Sequence, residues 1–142
     1  GNGGSAADAQ HIAAELVGRF KRNRRAFAAE ALTTDTSAMT AIANDFGFET
    51  IFARQLEGKA RAGDLAIGIT TSGNSINVVA GLEQAKSMGL ATIAMTGAAG
   101  GNAADLADVL LAAASDDTPR IQEAHQVMYH ILCDLTEAAM TE

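Results

Sequence analysis

The chain has 142 residues and a net charge of −7, and its residues are 48% hydrophobic but only 4% aromatic. This length fits one domain with one sizeable core, which must rest on aliphatic side chains rather than on aromatic rings. The negative charge argues against a nucleic-acid binder, and no run of 18 apolar residues is present that could span a membrane.

Helical and strand patterns alternate along the chain. The predicted helices cover residues 5–21, 37–44, 49–59 and 75–88, and the last begins near Thr118 or Pro119. The predicted strands are residues 30–34, 65–70, 90–95 and 109–113. Helices that alternate with apolar strands indicate a parallel sheet covered on both faces, which is a doubly wound α/β architecture. With no internal repeat or boundary visible, residues 1–142 are expected to form a single domain.

A glycine-rich loop, GNGGS at residues 1–5, leads into the first predicted helix. Its glycines formally match the dinucleotide fingerprint, but a basic run occupies the region where that fingerprint needs an acidic residue. A loop that cradles another anion fits better, and an ordinary helix start capped by Ser5 is the alternative. The loop also opens as though a strand should precede it, so we expect a first strand and an N-terminal helical segment outside this chain.

The basic run GRFKRNRR follows the first predicted helix. It supplies five of the ten basic residues, namely Arg19, Lys21, Arg22, Arg24 and Arg25. We interpret it as the last turn of the helix and its exit loop, where cations suit the negative end of the helix dipole. A phosphate or nucleic-acid patch is the alternative.

A second loop of small polar residues follows the predicted strand at residues 65–70. TTSGNS, residues 70–75, combines hydroxyl side chains, a glycine and the start of the next helix near Ser75. Considered alone, it is equally a turn with a helix cap or a binding loop. Ligands usually bind at the carboxyl edge of a parallel sheet, and a further glycine-rich turn, residues 96–101, follows the next strand. Two polar loops at one edge favour a phosphorylated ligand.

Polar residues interrupt the apolar patterns of the first and last helices. His11 and Glu15 are four residues apart and lie on one helix face, whereas Gln122 and His130 are separated by about 12 Å along the helix axis. Together they offer nitrogen and oxygen ligands suited to zinc or a similar divalent ion. They equally offer a carboxylate and an imidazole as an acid–base pair. A lone histidine in such a helix is more often a core residue.

Two further features of the sequence bear on function and location. Asn44 and Asp45 stand at a break after a short helix, as either a helix stop or a polar corner of a pocket. The single cysteine, Cys133, lies in an apolar helical run and cannot form an internal disulfide. This cysteine usage and the absence of a leader pattern predict a reducing compartment and a cytoplasmic protein.

Five motifs, in this order, resemble the sugar isomerase (SIS) domain family: GNGGSAADAQHIAAEL, ALTTDTS, ANDFGF, GITTSGNS and TPRIQEAHQVMYHIL. The resemblance covers nearly the whole chain and is strongest to the branch that isomerises sedoheptulose 7-phosphate. It implies a flavodoxin-like three-layer sandwich with a central parallel sheet, and a homotetramer with active sites at subunit interfaces. It also implies formation of D-glycero-D-manno-heptose 7-phosphate through an enediol, the first step toward heptose precursors of lipopolysaccharide or other surface glycans.

The resemblance assigns roles to individual residues. Glu15 and His130 match the acid–base pair of the family. One zinc ion per subunit is implied, with ligands that match His11, Glu15, Gln122 and His130. Residues 70–75 match the phosphate-holding loop. The substrate-binding positions match Asn2, Gly3, Gly4, Ser5, Glu15, Arg19, Asn44, Asp45, Thr70, Thr71, Ser72, Ser75 and Gln122.

The chain departs from the family pattern in two places. Thr70 stands where some members have serine, which keeps the hydroxyl group, and RRAFAAEAL lacks a proline, which concerns only a loop conformation. The alternative function is a non-catalytic SIS-domain protein of the replication-initiator-associating type, whose members lack counterparts of Glu15 and His130. A sugar-phosphate sensor would need a DNA-binding domain, which these 142 residues do not show.

Overall fold

The computed structural model of the protein describes residues 1–141. The elements, in chain order, are α1 (Gly4–Val17), α2 (Thr36–Phe46), a 3-10 turn (Phe48–Thr50), α3 (Ile51–Lys59), β1 (Leu65–Ile69), α4 (Ile76–Ser87), β2 (Ala91–Thr96), α5 (Gly101–Asp105), β3 (Val109–Ala112) and α6 (Thr118–Met140). None of these helices combines the length and the apolar character needed to cross a membrane.

The sheet is parallel and has the strand order β1–β2–β3. Leu65 of β1 lies opposite Ala91 of β2, and Ile93 of β2 lies opposite Val109 of β3. The central strand β2 is buried along its length after its first residue, because helices cover both of its faces. The predicted doubly wound architecture is therefore confirmed.

Two hydrophobic clusters place the helices on opposite faces of the sheet. On one face, α1 and α6 pack on the strands through Ile12, Ile69, Ile93, Met95, Tyr129 and Cys133. On the other face, α3, α4 and α5 pack through Ile51, Phe52, Val78, Leu82, Ala94 and Ala103. This arrangement is the expected three-layer sandwich. Its cores are mainly aliphatic, with one aromatic residue in each cluster, as the scarcity of aromatic residues predicted.

The predicted strand at residues 30–34 is wrong. Residues 32–34 form a turn, and side chains rather than a neighbouring strand occupy the local backbone groups. Gln55 Nε2 donates to the Leu32 carbonyl at 2.9 Å, and Thr34 Oγ1 donates to the Ala31 carbonyl at 3.0 Å. A groove of about 690 Å³ separates this segment from β1. Within residues 1–141, β1 has a hydrogen-bonded neighbour on one side only, so the segment has no ladder to join.

The first helix is shorter than predicted and ends at Val17 instead of residue 21. Gly18 follows it, so the basic run lies wholly in the exit loop. Arg24 caps the helix end, because its guanidinium donates to the carbonyls of Glu15 and Leu16 at 2.8 Å. The basic run is thus the exit loop of the helix, as predicted, but it does not include the last helical turn.

Candidate active site

Three predicted residues meet where α1 packs on α6. His11 Nε2 lies 3.0 Å from Glu15 Oε1, as expected for residues one helical turn apart. The His130 ring lies edge to face with the His11 ring, and their centroids are 5.1 Å apart. One ligand atom from each of the three side chains lies within 4.8 Å of the others. The candidate acid–base pair, Glu15 and His130, is therefore brought together by two helices distant in sequence.

This donor set suits a divalent metal. Two imidazoles and one carboxylate match the three protein ligands that catalytic zinc sites commonly use, with a fourth position left for water or substrate. All three side chains are partly exposed, so a metal could reach them.

Gln122 lies at the other end of the contact between α1 and α6. The Gln122 amide packs so closely on Gly4 that a Cβ added to Gly4 would collide with the amide. Gln122 and His130 are eight positions apart, which separates their backbones by about 12 Å along α6. The role of Gln122 as a fourth metal ligand stays a prediction.

A buried ion pair holds the loop beside His130. The carboxylate of Glu137 accepts hydrogen bonds from the backbone N–H groups of Phe20, Lys21 and Arg22 at 2.8–2.9 Å. Burial alone would raise the pKa of Glu137, but these three donors and the Arg24 guanidinium, 3.0 Å away, lower it to about 2.

The same loop sets one wall of the site. Because Phe20 is fixed through its backbone, its ring stacks on the His130 ring with a centroid distance of 5.4 Å and an interplanar angle of 21°. A small pocket of about 220 Å³ adjoins the two rings and is also lined by Val127 and Ile131. His130 is thus held by packing and opens onto the protein surface.

Two residues missed by the sequence analysis, Asp8 and Tyr129, lie on the inner side of His11. Tyr129 Oη is 2.8 Å from His11 Nδ1 and donates to Asp8 Oδ1 at 3.5 Å. Burial and the charge of Asp8 raise the pKa of Tyr129 to about 12, and burial raises the pKa of Asp8. Asp8 precedes His11 by three residues on the same helix, and that spacing was the available signal.

The remaining histidine of α6 belongs to the core. His125 is fully buried, and its ring nitrogen Nε2 lies 2.9 Å from the carbonyl oxygen of Thr96, to which it donates. The expectation that a histidine in this apolar pattern is a core residue is met at this position.

The loop after β1 is a compact hydroxyl-lined turn. The Thr70 and Ser75 hydroxyls hydrogen bond at 2.9 Å, and Ser72 Oγ accepts the Asn74 backbone N–H at 3.1 Å. Gly73 has a φ of +71°, and a Cβ there would overlap the Gly100 carbonyl. Ser72 remains exposed, so its hydroxyl is accessible to a ligand.

The loop also contacts the glycine-rich turn after β2. The Gly97 N–H donates to the Thr71 carbonyl at 2.9 Å, and the Asn102 N–H donates to Asn74 Oδ1 at 2.9 Å. Both segments follow the carboxyl ends of parallel strands. The turns after β1 and β2 therefore lie together at one edge of the sheet, as predicted.

A reciprocal amide pair joins the first loop to α4. Asn2 Nδ2 donates to Asn77 Oδ1 at 2.8 Å, and Asn77 Nδ2 donates back to Asn2 Oδ1 at 2.9 Å. Asn77 is buried. The pair brings GNGGS next to the helix that follows TTSGNS. This proximity is needed if the two loops are to bind one phosphorylated ligand. Asn77 was missed because it lies within a helix that gave no polar signal.

The other predicted substrate residues are less tightly placed. Asn44 and Asp45 are exposed at the end of α2 and hydrogen bond to each other at 2.8 Å, and Arg19 is exposed in the loop after α1. Gly3 and Gly4 are exposed at the start of α1. Ser5 is buried inside the first turn, and the capping position is Gly3, so Ser5 is not the helix cap. The substrate roles of these residues stay predictions.

Comparison with known proteins supplies a family context for this site. The profile of the SIS domain family matches residues 1–97. A curated phosphoheptose isomerase from Aquifex aeolicus is 59% identical over the whole chain, which covers 74% of that protein. The solved phosphoheptose isomerase from Neisseria gonorrhoeae superposes with a TM-score of 0.91 at 48% identity, over 97% of this chain and 73% of that one. The one from Francisella tularensis gives a TM-score of 0.89 at 38% identity, over 94% and 71%.

Proposed function

The chain belongs to the SIS domain family, and from this premise we propose that it is an aldose–ketose isomerase that converts sedoheptulose 7-phosphate to D-glycero-D-manno-heptose 7-phosphate. The convergence of Glu15 and His130 across α1 and α6 is the observation that carries the proposal. The relatives named phosphoheptose isomerase support the same activity. Its product is a precursor for lipopolysaccharide or other surface glycans, and we place the enzyme in the cytoplasm.

The reaction needs one proton moved between adjacent carbons and one moved between their oxygens. In the proposed sequence, the Glu15 carboxylate takes the proton from C1 of the ketose, while His130 donates a proton to the C2 carbonyl oxygen. The enediol that results then loses its O1 proton to His130 and receives the carbon-bound proton from Glu15 at C2. Each well-placed acid or base contributes about 10²–10⁴-fold to the rate.

We propose zinc as the metal, one ion per subunit, held by His11, Glu15 and His130 with Gln122 as the fourth protein ligand. The three clustered ligands support this choice through their chemistry. When bound, such an ion would polarise the substrate carbonyl. Glu15 and Gln122 would serve both as ligands of the ion and as contacts to the substrate.

The loop at residues 70–75 is proposed to hold the phosphate group. The exposed hydroxyl of Ser72, the neighbouring hydroxyls of Thr70, Thr71 and Ser75, and the start of α4 support this role. The further substrate contacts that we propose come from Asn2, Gly3, Gly4, Ser5, Arg19, Asn44 and Asp45. Binding energy from the phosphate, remote from the reacting carbons, serves to position the sugar.

We further propose that the protein is a homotetramer whose active sites lie at subunit interfaces. Support comes from α6, which is apolar on its outer face as well as its inner one. Val127, Ile131 and Leu135 recur every four residues and are 55–64% exposed. A helix with a second apolar stripe on its outer face normally has that stripe covered by a partner. This stripe adjoins His130, so a second copy of the chain seated on it would lie against the site.

We also propose that residues 1–142 are one domain whose sheet takes a further parallel strand in the groove beside β1, provided by polypeptide that precedes Gly1. Among the residues that the structure describes, no strand pairs with the outer edge of β1, and this edge and the apolar groove between it and residues 27–33 support the addition. Amides of β1 should exchange with deuterium more slowly in a longer form of the protein than in residues 1–142. Equal exchange rates would contradict it.

The alternative is a non-catalytic SIS-domain binding protein. A coupled assay with sedoheptulose 7-phosphate separates the two functions when it is run on the protein as purified, after chelation and after zinc repletion. The isomerase hypothesis predicts turnover that chelation removes and zinc restores. Absence of turnover in the zinc-repleted protein would contradict it and favour the binding module.

A further inference from the structure

A chain of polar contacts runs from the protein interior to the candidate metal ligands. It starts at Asp8, which is 6% exposed, passes through the hydroxyl of Tyr129, which is 0% exposed, and ends at His11 Nδ1. The opposite ring nitrogen of His11, Nε2, faces Glu15. The acid–base mechanism uses neither Asp8 nor Tyr129, and both are buried where α1 and α6 pack on the sheet.

The carboxylate of Asp8 depends on Tyr129. Its Oδ2 atom is buried and has no hydrogen-bond partner within residues 1–141, and its Oδ1 atom is contacted by the Tyr129 hydroxyl alone. A buried carboxylate without any donor is strongly unfavourable. The hydroxyl proton of Tyr129 is therefore directed to Asp8.

The direction of this bond determines the proton position on His11. A tyrosine hydroxyl has one proton, so an oxygen that donates to Asp8 must act as the acceptor toward His11. The 2.8 Å contact is then a hydrogen bond donated by Nδ1–H of His11. A neutral imidazole protonated at Nδ1 has its lone pair at Nε2, the atom that faces Glu15 and lies near His130.

We propose that Asp8 and Tyr129 are positioning residues that hold His11 in the Nδ1-protonated tautomer, so that its Nε2 is ready to bind the metal. The inference rests on the metal site proposed above and adds to it a polar relay that reaches inward from the ligands. The lone pair of Nε2 and the carboxylate of Glu15 are two acceptors 3.0 Å apart, an arrangement that a shared cation stabilises. Groups that orient metal-ligating histidines typically change metal affinity 10–100-fold.

The test compares zinc affinity, measured by competition with a chromophoric chelator at constant pH, between the wild-type protein and Tyr129→Phe. This substitution removes the hydroxyl and keeps the ring in the core. We expect zinc binding to weaken 10–100-fold, and Asp8→Asn to weaken it in the same direction because the amide can donate to Tyr129 and reverse the relay. The matched control is Cys133→Ala, which alters a buried residue one turn further along the same face of α6 and should change zinc affinity less than about twofold.

A second measurement is independent of any substitution. Nitrogen-15 NMR of the zinc-loaded wild-type protein should show His11 protonated at Nδ1 and bound through Nε2. Binding through Nδ1, or unchanged zinc affinity in Tyr129→Phe, would overturn the relay while leaving the metal site in place. A wild-type protein that binds no zinc but isomerises the sugar would contradict the metal site and the relay together, and would leave the proposed reaction standing.

Discussion

Gly73 shows how a single residue constrains the proposed phosphate loop. Its φ of +71° lies in the left-handed region, and a side chain would overlap the Gly100 carbonyl. We expect Gly73→Ala to lower the free energy of unfolding by about 2 kcal/mol or more and to raise KM for the sugar phosphate. Urea denaturation and steady-state kinetics measure the two effects.

The matched control for that substitution is Gly58→Ala in α3. A Cβ at Gly58 meets no atom within 4 Å, and the backbone there is helical. Alanine should raise the free energy of unfolding by up to about 1 kcal/mol and leave KM unchanged. Equal effects of the two substitutions would contradict the assigned role of Gly73.

Glu137 links stability to pH. Its pKa lies at about 2 in the folded protein, below the ordinary value of 4.5, so the unfolded chain binds the proton more readily. Its stabilising contribution is complete above about pH 5 and is lost progressively as the pH falls from 4.5 toward 2. We expect the free energy of unfolding of Glu137→Gln to be lower than that of the wild type at neutral pH and to depend less on pH in this range.

Urea denaturation at pH values from 2 to 7 provides that comparison. The control is Glu123→Gln, which removes a carboxylate exposed on α6 and paired with Arg120 only at the surface. It should follow the wild-type curve closely, because exposed pairs contribute little. If the free energies of unfolding of the wild type and Glu137→Gln changed with pH in parallel, the Glu137 carboxylate would not be the cause of the pH dependence.

At the residue scale, local spacing could be predicted from sequence and long-range contacts could not. The four-residue separation of His11 and Glu15 was visible because helical neighbours follow from periodicity. Tyr129 lies 118 positions after His11, and its hydroxyl meets that ring only because α1 and α6 pack in one particular register. The same holds for Asn77, which finds Asn2 across 75 positions.

Among the elements, the start of α4 depends on the loop that precedes α1. The two hydrogen bonds between Asn2 and Asn77 are its most direct link, and Asn77 is buried. We expect Asn77→Ala to lower the free energy of unfolding by about 1–3 kcal/mol, because both hydrogen bonds of the amide pair are lost. Thermal or urea denaturation measures this loss.

The substitution Asn102→Ala provides the control, since the side chain of Asn102 is exposed in the short helix α5. It should stay within about 0.5 kcal/mol of the wild type. A loss of similar size in both variants would mean that the amide pair is not what joins the loop to α4.

Helices and strands could be predicted where the sequence of the segment alone determines its structure. The three strands β1, β2 and β3 are continuous apolar runs bounded by turns, and such runs indicate strands buried between helices. Residues 30–34 are more polar, and a strand also needs a partner; here the side chains of Gln55 and Thr34 donate to the carbonyls of the segment instead. Helix α1 ended early because Gly18 and the Arg24 cap override the periodicity that continues to residue 21.

For the whole molecule, the exposed stripe on α6 predicts how copies of the chain assemble. We expect the protein to sediment as a tetramer and Ile131→Glu to sediment as a smaller species, because a charge in an apolar interface is strongly unfavourable. Gln126→Glu places the same charge on an exposed position of α6 outside the stripe and should leave the mass unchanged. A monomeric wild type, or an Ile131→Glu protein of unchanged mass, would contradict this interface.

The most direct test of the account is the turnover of sedoheptulose 7-phosphate by Glu15→Gln, measured beside the wild type at equal zinc occupancy. The amide keeps the size of the side chain and its place on α1 but cannot take a proton from carbon. We predict that kcat falls by about 10²–10⁴-fold while the circular dichroism spectrum is unchanged. A Glu15→Gln protein that turns over at the wild-type rate would contradict the assignment of Glu15 as the base.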